Sequence, residues 1–149
     1  MLLLLAAFVL YACGQKTENT SDNSVAEEKP AISDYDPQRG EGKFDKVEIS
    51  EKLDIKMAES GKQVFDLKCS SCHKLTDEKL VGPGWKGVST KHKPEWIMNF
   101  ITSPDAMIDK DPQLQAQLEL CLVRMPNQNL SDDDARNILE FMRQNDGVR

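Results

Sequence analysis

From residue 50 onward the chain predicts an all-α domain, on three observations. Apolar residues recur at helical spacing in two separate stretches, 54–68 and 131–145. Proline and acidic residues mark the starts of two more helices between them, and no convincing strand interrupts the series. The first helix, at about 54–68, carries Met57, Gly61, Val64 and Phe65 on its apolar face. A short helix opens at Pro94, Glu95 and Trp96 and ends before Pro104. Another runs over about 111–123, with Pro112 at an early position where its missing N–H is tolerated. Ser131 is a good N-cap for the last helix, and Asp132, Asp133 and Asp134 put negative charge in its first turn, where the helix dipole favours it. Ala135, Ile138, Leu139 and Met142 then mark a buried face to about Asn145. These roughly one hundred residues, 50–149, suffice for one small domain with a modest core.

The first 49 residues have a different character. Residues 2–10 are almost continuously apolar, too short to span a bilayer as a mature helix but of the length of a signal-peptide core. Leu10-Tyr11-Ala12-Cys13 follows and resembles the bacterial lipoprotein signal, which implies cleavage before an acylated Cys13. Residues 1–13 are therefore expected to be a signal peptide ending at a lipid-bearing cysteine. Residues 14–49 form a polar linker or arm: 15–29 hold only Val25 and Ala26 as apolar residues and cannot bury enough surface to fold alone. As a random coil a linker of this length reaches on the order of 30 Å. Residues 35–44 place Tyr35 and Phe44 among turn residues, which suits an arm lying on the domain or a passive linker.

Chemistry concentrates at Cys69-Ser70-Ser71-Cys72-His73. Thiols three residues apart lie on one face of a helical turn and can reach the two vinyl edges of one porphyrin, with His73 beneath the iron. The pair could also be half of a zinc site or a redox dithiol. Zinc lacks a second ligand pair, since Cys13, Cys121 and His92 are not at metal-ligand spacing, and a thioredoxin-like dithiol lacks the strand that precedes it. Covalently bound haem c, one per chain, is the expected cofactor.

The domain resembles class I cytochromes c over about residues 54–146. Cys69, Cys72 and His73 match the attachment motif, Gly82-Pro83 the Gly-Pro after it, and Met125-Pro126-Asn127 followed by Leu130-Ser131 the methionine-ligand loop and final helix. The resemblance implies that Gly61, Phe65 and Phe141 stand where the first and last helices cross. A methionine thioether would close the iron and raise its potential, whereas an open position would permit gas binding. Met107 and Met125 both lie on loops after the haem motif, and His92 is a further alternative. Met125 is favoured, because it precedes Pro126 in a loop held at both ends by helices and the family pattern agrees. The resemblance further implies that Pro83 packs beside the His73 ring, with a backbone carbonyl there accepting its N–H. Trp85 and Trp96 are expected to wall the haem or bond its propionates, or simply to pack in the core. Cys121 is left as a free thiol flanked by leucines, the pattern of a small buried hydrophobe.

The net charge is −6, unevenly spread: Lys68, Lys74, Lys79, Lys86, Lys91 and Lys93 gather around the motif, while the linker and last helix are acidic. A ring of lysines at a haem edge would steer an acidic partner surface, and nothing suggests nucleic acid or a small-molecule substrate. The resulting expectation is a non-enzymatic mono-haem electron carrier, exported and tethered to a bacterial membrane. It would carry electrons from a quinol-oxidising complex to a terminal reductase or oxidase. The wording of 74–83 and 123–130 resembles small cytochromes that accompany nitrous oxide reductase. A haem sensor with an open or labile sixth position is the alternative.

Overall fold

The computed structural model describes residues 35–149; the expected signal peptide with Cys13, and the expected linker up to residue 34, lie outside the described residues. Six helices succeed one another: α1 (Ile55–Lys68), α2 (Val88–Lys91), α3 (Pro94–Thr102), α4 (Pro104–Ile108), α5 (Pro112–Cys121) and α6 (Asp132–Asn145). The sole strand-like pairing among the described residues is an isolated bridge between His73 and Lys79. Four helices stand where the spacing of apolar residues puts them. The short α2 and α4 are additions: α2 has four residues and starts after Gly87, and α4 starts on Pro104 itself, directly after α3. The third long helix stops at Cys121 rather than 123, because Leu122 turns into the left-handed conformation at φ 60°.

α1 lies across α6, and that crossing forms the centre of the core. Asp54 caps α1 by accepting from the Met57 N–H, and Ser131 with Asp134 closes a reciprocal capping box on α6. α1 buries Ala58, Gly61 and Phe65, and α6 buries Ala135, Ile138, Leu139, Phe141 and Met142. Met57 and Val64, expected on the buried face of α1, are only half-buried; Ala58 takes the inner position instead. Phe65 joins the crossing to the rest of the core, 5.6 Å from the Phe141 ring and 4.7 Å from the Trp85 ring.

A charged network is buried beside this crossing. Glu140 is 1% exposed and accepts from the Asp54 N–H (2.9 Å), Arg136 (2.8 Å) and Arg143 (2.7 Å). Arg143, itself buried, also donates to the carbonyl of Ser50 at 2.5 Å, so α6 fastens the chain where it enters α1. Burial opposes the Glu140 charge, but the Asp54 N–H and the two guanidinium groups outweigh it and hold the carboxyl below the ordinary range. The unfolded chain thus binds this proton more readily than the folded one. The stability so contributed is full above the ordinary carboxylate pKa and is lost as pH falls through the lowered value. Glu140→Gln is expected to cost about 3 kcal/mol at neutral pH, as removal of one partner from a buried ion pair does. It should also flatten the acid limb of stability, read as denaturant midpoints across pH.

Residues 35–49 lie on the domain. The Asn99 amide, fully buried in α3, donates to the carbonyls of Arg39 and Phe44 and accepts from the Phe44 N–H. Val47 N–H donates to Glu95, and Tyr35 donates to Asp111 at 2.5 Å. Asp111 also caps α5 and accepts from the Trp96 indole N–H at 3.2 Å, so one carboxylate joins the arm to α3 and α5. Burial and this carboxylate together push the Tyr35 hydroxyl well above its ordinary pKa.

Candidate haem site

The two thiols leave the end of α1 together. Cys69 caps the helix, and Cys72 and His73 donate their N–H groups to the Cys69 carbonyl at 3.0 and 2.9 Å, so 69–73 continues as a tight turn. Cys69, Cys72 and Cys121 are in no disulfide, so both motif sulfurs are available to a porphyrin, and before attachment burial pushes the Cys69 thiol up to about 11. The next loop folds back: Gly82 N–H donates to the Cys72 carbonyl and Trp85 N–H to the Lys74 carbonyl. This places the Pro83 carbonyl 2.8 Å from Nδ1 of His73. A carbonyl only accepts, so Nδ1 carries the proton and Nε2 keeps its lone pair. Burial lowers the His73 pKa against the pull of that bond, which keeps the ring neutral at pH 7.

Cys69, Cys72, His73, Pro83, Trp85 and Met125 line one cavity of roughly 330 Å³. Its apolar walls come from Phe100, Ile101, Leu114, Leu118, Leu130 and Ile138. A smaller cavity of roughly 60 Å³ shares His73, Pro83, Trp85 and Met125 and adds Trp96 and Met142. Two thiols on one wall, a neutral imidazole with a free Nε2, a thioether on a loop and an apolar lining fit a covalently held haem. Zinc finds no such set: among the described residues no group of three or more His, Cys, Asp or Glu side chains is arranged to hold a metal ion by itself.

A cytochrome c family profile matches residues 58–146. The chain belongs to the cytochrome c family. The family binds covalently attached haem c with its iron, and both cysteines for it, Cys69 and Cys72, are present here. Cytochrome c from Rhodothermus marinus is 33% identical, covering 70% of this chain and 90% of its own, with a TM-score of 0.68. An engineered form of that protein is 32% identical over 74% of this chain and 98% of its own, with a TM-score of 0.70. A further structure shows the engineered form bound to a carbene intermediate, with a TM-score of 0.67. No curated protein matches.

Within this cytochrome c domain the other candidate residues fall into distinct places. Met107 is fully buried away from both cavities, packed against Gly40 of the arm. His92 lies outside both cavities, half-buried, and stacks on Trp96 at 3.8 Å. Trp96 is absent from the larger cavity, and Asp111 already takes its indole N–H. Trp85 stands at the larger cavity, its ring 5.8 Å from that of His73. Sequence reasoning did not name Leu114, Leu118 and Cys121 as a wall. Their spacing of four and three along α5 was the available signal, since it puts all three on one helix face.

Proposed function

We propose that this cytochrome c is a mono-haem electron carrier in which Cys69 and Cys72 hold the haem and His73 and Met125 are the axial ligands. The observation that carries the reading is that His73, oriented by Pro83, shares a cavity with both thiols and Met125. Bound haem c supplies a one-electron Fe(II)/Fe(III) couple. The protein's own part is to fix the imidazole through the Pro83 carbonyl, present the Met125 thioether from the loop between α5 and α6, and exclude water with Trp85 and the apolar wall. No substrate bond is made or broken.

In its wider setting the protein is an exported lipoprotein, acylated at Cys13 and tethered at the outer side of a bacterial membrane. It takes electrons from a quinol-oxidising complex and delivers them to an exported terminal reductase or oxidase, with nitrous oxide reductase as the named acceptor. The sequence carries this placement through residues 10–13 and the wording of 74–83 and 123–130. A deletion strain that still reduces nitrous oxide at full rate would remove that acceptor.

Met125→Ala tests the axial set. The wild-type ferric protein is expected to show the weak methionine-to-iron charge-transfer band in the far red, and the variant to lose it entirely and to bind carbon monoxide when reduced. The second reading, a ligand-binding haem protein with a labile sixth position, is favoured by the carbene intermediate held by the engineered Rhodothermus marinus neighbour. A wild-type protein that lacks the band and binds carbon monoxide at neutral pH would support it.

A further inference from the structure

We infer that Arg124 is a positioning residue that holds Met125 at the iron through a two-carboxylate clamp on α4. The inference rests on the reading of Met125 as the axial ligand. Loop 122–130 contains a single charged side chain, Arg124, immediately before Met125. Its Nη1 lies 3.2 Å from Asp105, in the first turn of α4, and its Nη2 lies 2.7 Å from Asp109, the C-cap of the same helix. The two aspartates are four residues apart and therefore share one helix face. One planar guanidinium thus spans both carboxylates, a geometry that a lysine, with a single point of charge, does not reproduce.

The rest of the loop explains why this clamp matters to the ligand. On the C-terminal side of Met125, Asn127 donates to the Thr102 carbonyl at 3.3 Å, and Lys68 donates to the Gln128 carbonyl at 2.9 Å. On the N-terminal side, between the turn at Leu122 and Met125, Arg124 makes the side-chain ties found among the described residues. Releasing Arg124 leaves side-chain ties only on the C-terminal side of Met125, with the α5 cap at Leu122 as the remaining hold before it, and a thioether is a weak, neutral ligand whose hold depends on the loop that presents it. Each ion pair is surface-exposed and individually worth little; acting together on the residue next to the ligand, they bias ligation rather than folding.

The test compares Arg124→Gln, Arg124→Lys and the double substitution Asp105→Asn with Asp109→Asn in the haem-loaded protein. Imidazole is titrated against the ferric form to displace Met125, and the reduction potential is recorded alongside. The clamp predicts that Arg124→Gln and the double aspartate variant both bind imidazole about five-fold more tightly than wild type. Arg124→Lys falls between, and combining Arg124→Gln with the aspartate changes adds nothing further. A mere field effect at the iron would move the two classes of variant in opposite directions, because one removes positive charge and the other negative. Opposite movements, or wild-type imidazole affinity in every variant with the charge-transfer band intact, would overturn the clamp while leaving Met125 as ligand. Absence of the band from the wild-type protein would overturn the axial assignment and the clamp with it.

Discussion

Gly61→Val is expected to leave too little stability for a folded, haem-bearing domain. An added Cβ at Gly61 would overlap the Asn137 carbonyl oxygen and come within 2.5 Å of its carbon and 2.9 Å of the Ile138 nitrogen. These obstacles are α6 backbone inside a helix, which cannot swing aside as a side chain would. Overpacking in a core usually costs about 1–3 kcal/mol, and the upper end or beyond applies where only a whole helix can move. Separating α1 from α6 would also loosen Ala58 and Phe65 from Ala135, Ile138 and Phe141, and the Asp54 to Glu140 bond with them. A domain of this size has on the order of 5–15 kcal/mol in total, so the combined loss takes most of the lower end of that range. The measurement is the yield of haem-attached protein with its denaturant midpoint. A valine variant with the wild-type midpoint would show that the helices do not cross at residue 61.

The parts of the fold that the amino-acid sequence made legible are those with local chemistry. α6 announces itself through Ser131, three aspartates and an apolar period, and Gly61 is intelligible as the small residue a close crossing requires. α2 and α4 were illegible because helices of four and five residues are too short to show a period. The end of α5 was missed because a leucine, not a glycine, takes the left-handed turn. Glu140 and Arg143 carry no local sign of burial; the groups that bury them are the backbone at 50–54, 86 residues distant along the chain for Asp54 and Glu140 and 93 for Ser50 and Arg143. Asn99 hid in the same way, since its partners in the arm are remote in sequence. At the site, motif spacing brings the thiols and His73, and loop position Met125, to one cavity, where Pro83 and Trp85, expected only from the resemblance, also stand. Cys121 and the Arg124 ion pairs were invisible, because their meaning depends on where α4 and α5 lie in space.

Gly82→Val should do the opposite of the change at Gly61: keep the helices packed and unseat the imidazole. An added Cβ at Gly82 would overlap Cε1 of His73 and lie 2.9 Å from Nδ1 and 3.0 Å from Nε2. Unlike the α6 backbone, the His73 ring can yield, because it can rotate about its own side-chain bonds. Doing so lengthens its bond to the Pro83 carbonyl and turns Nε2 from the direction in which that bond holds it. Loss of such an orienting partner weakens an axial ligand by about 10–100-fold. The variant is therefore expected to retain the helical signal of the wild type, with its spectrum changed from low-spin to a mixture containing high-spin iron and its potential displaced. Gly82→Ala, with less bulk beyond the Cβ, should show a weaker form of the same mixture. Circular dichroism with optical spectra of the ferric protein separates the cases. A low-spin wild-type spectrum in the valine variant would mean that His73 takes its orientation without the space that Gly82 leaves. A variant that loses helical signal would mean instead that the 82–85 segment supports the fold as a whole. Intact helices with a disturbed iron are the expected pairing, because the protein uses one glycine to bring two helices together and another to seat one ligand.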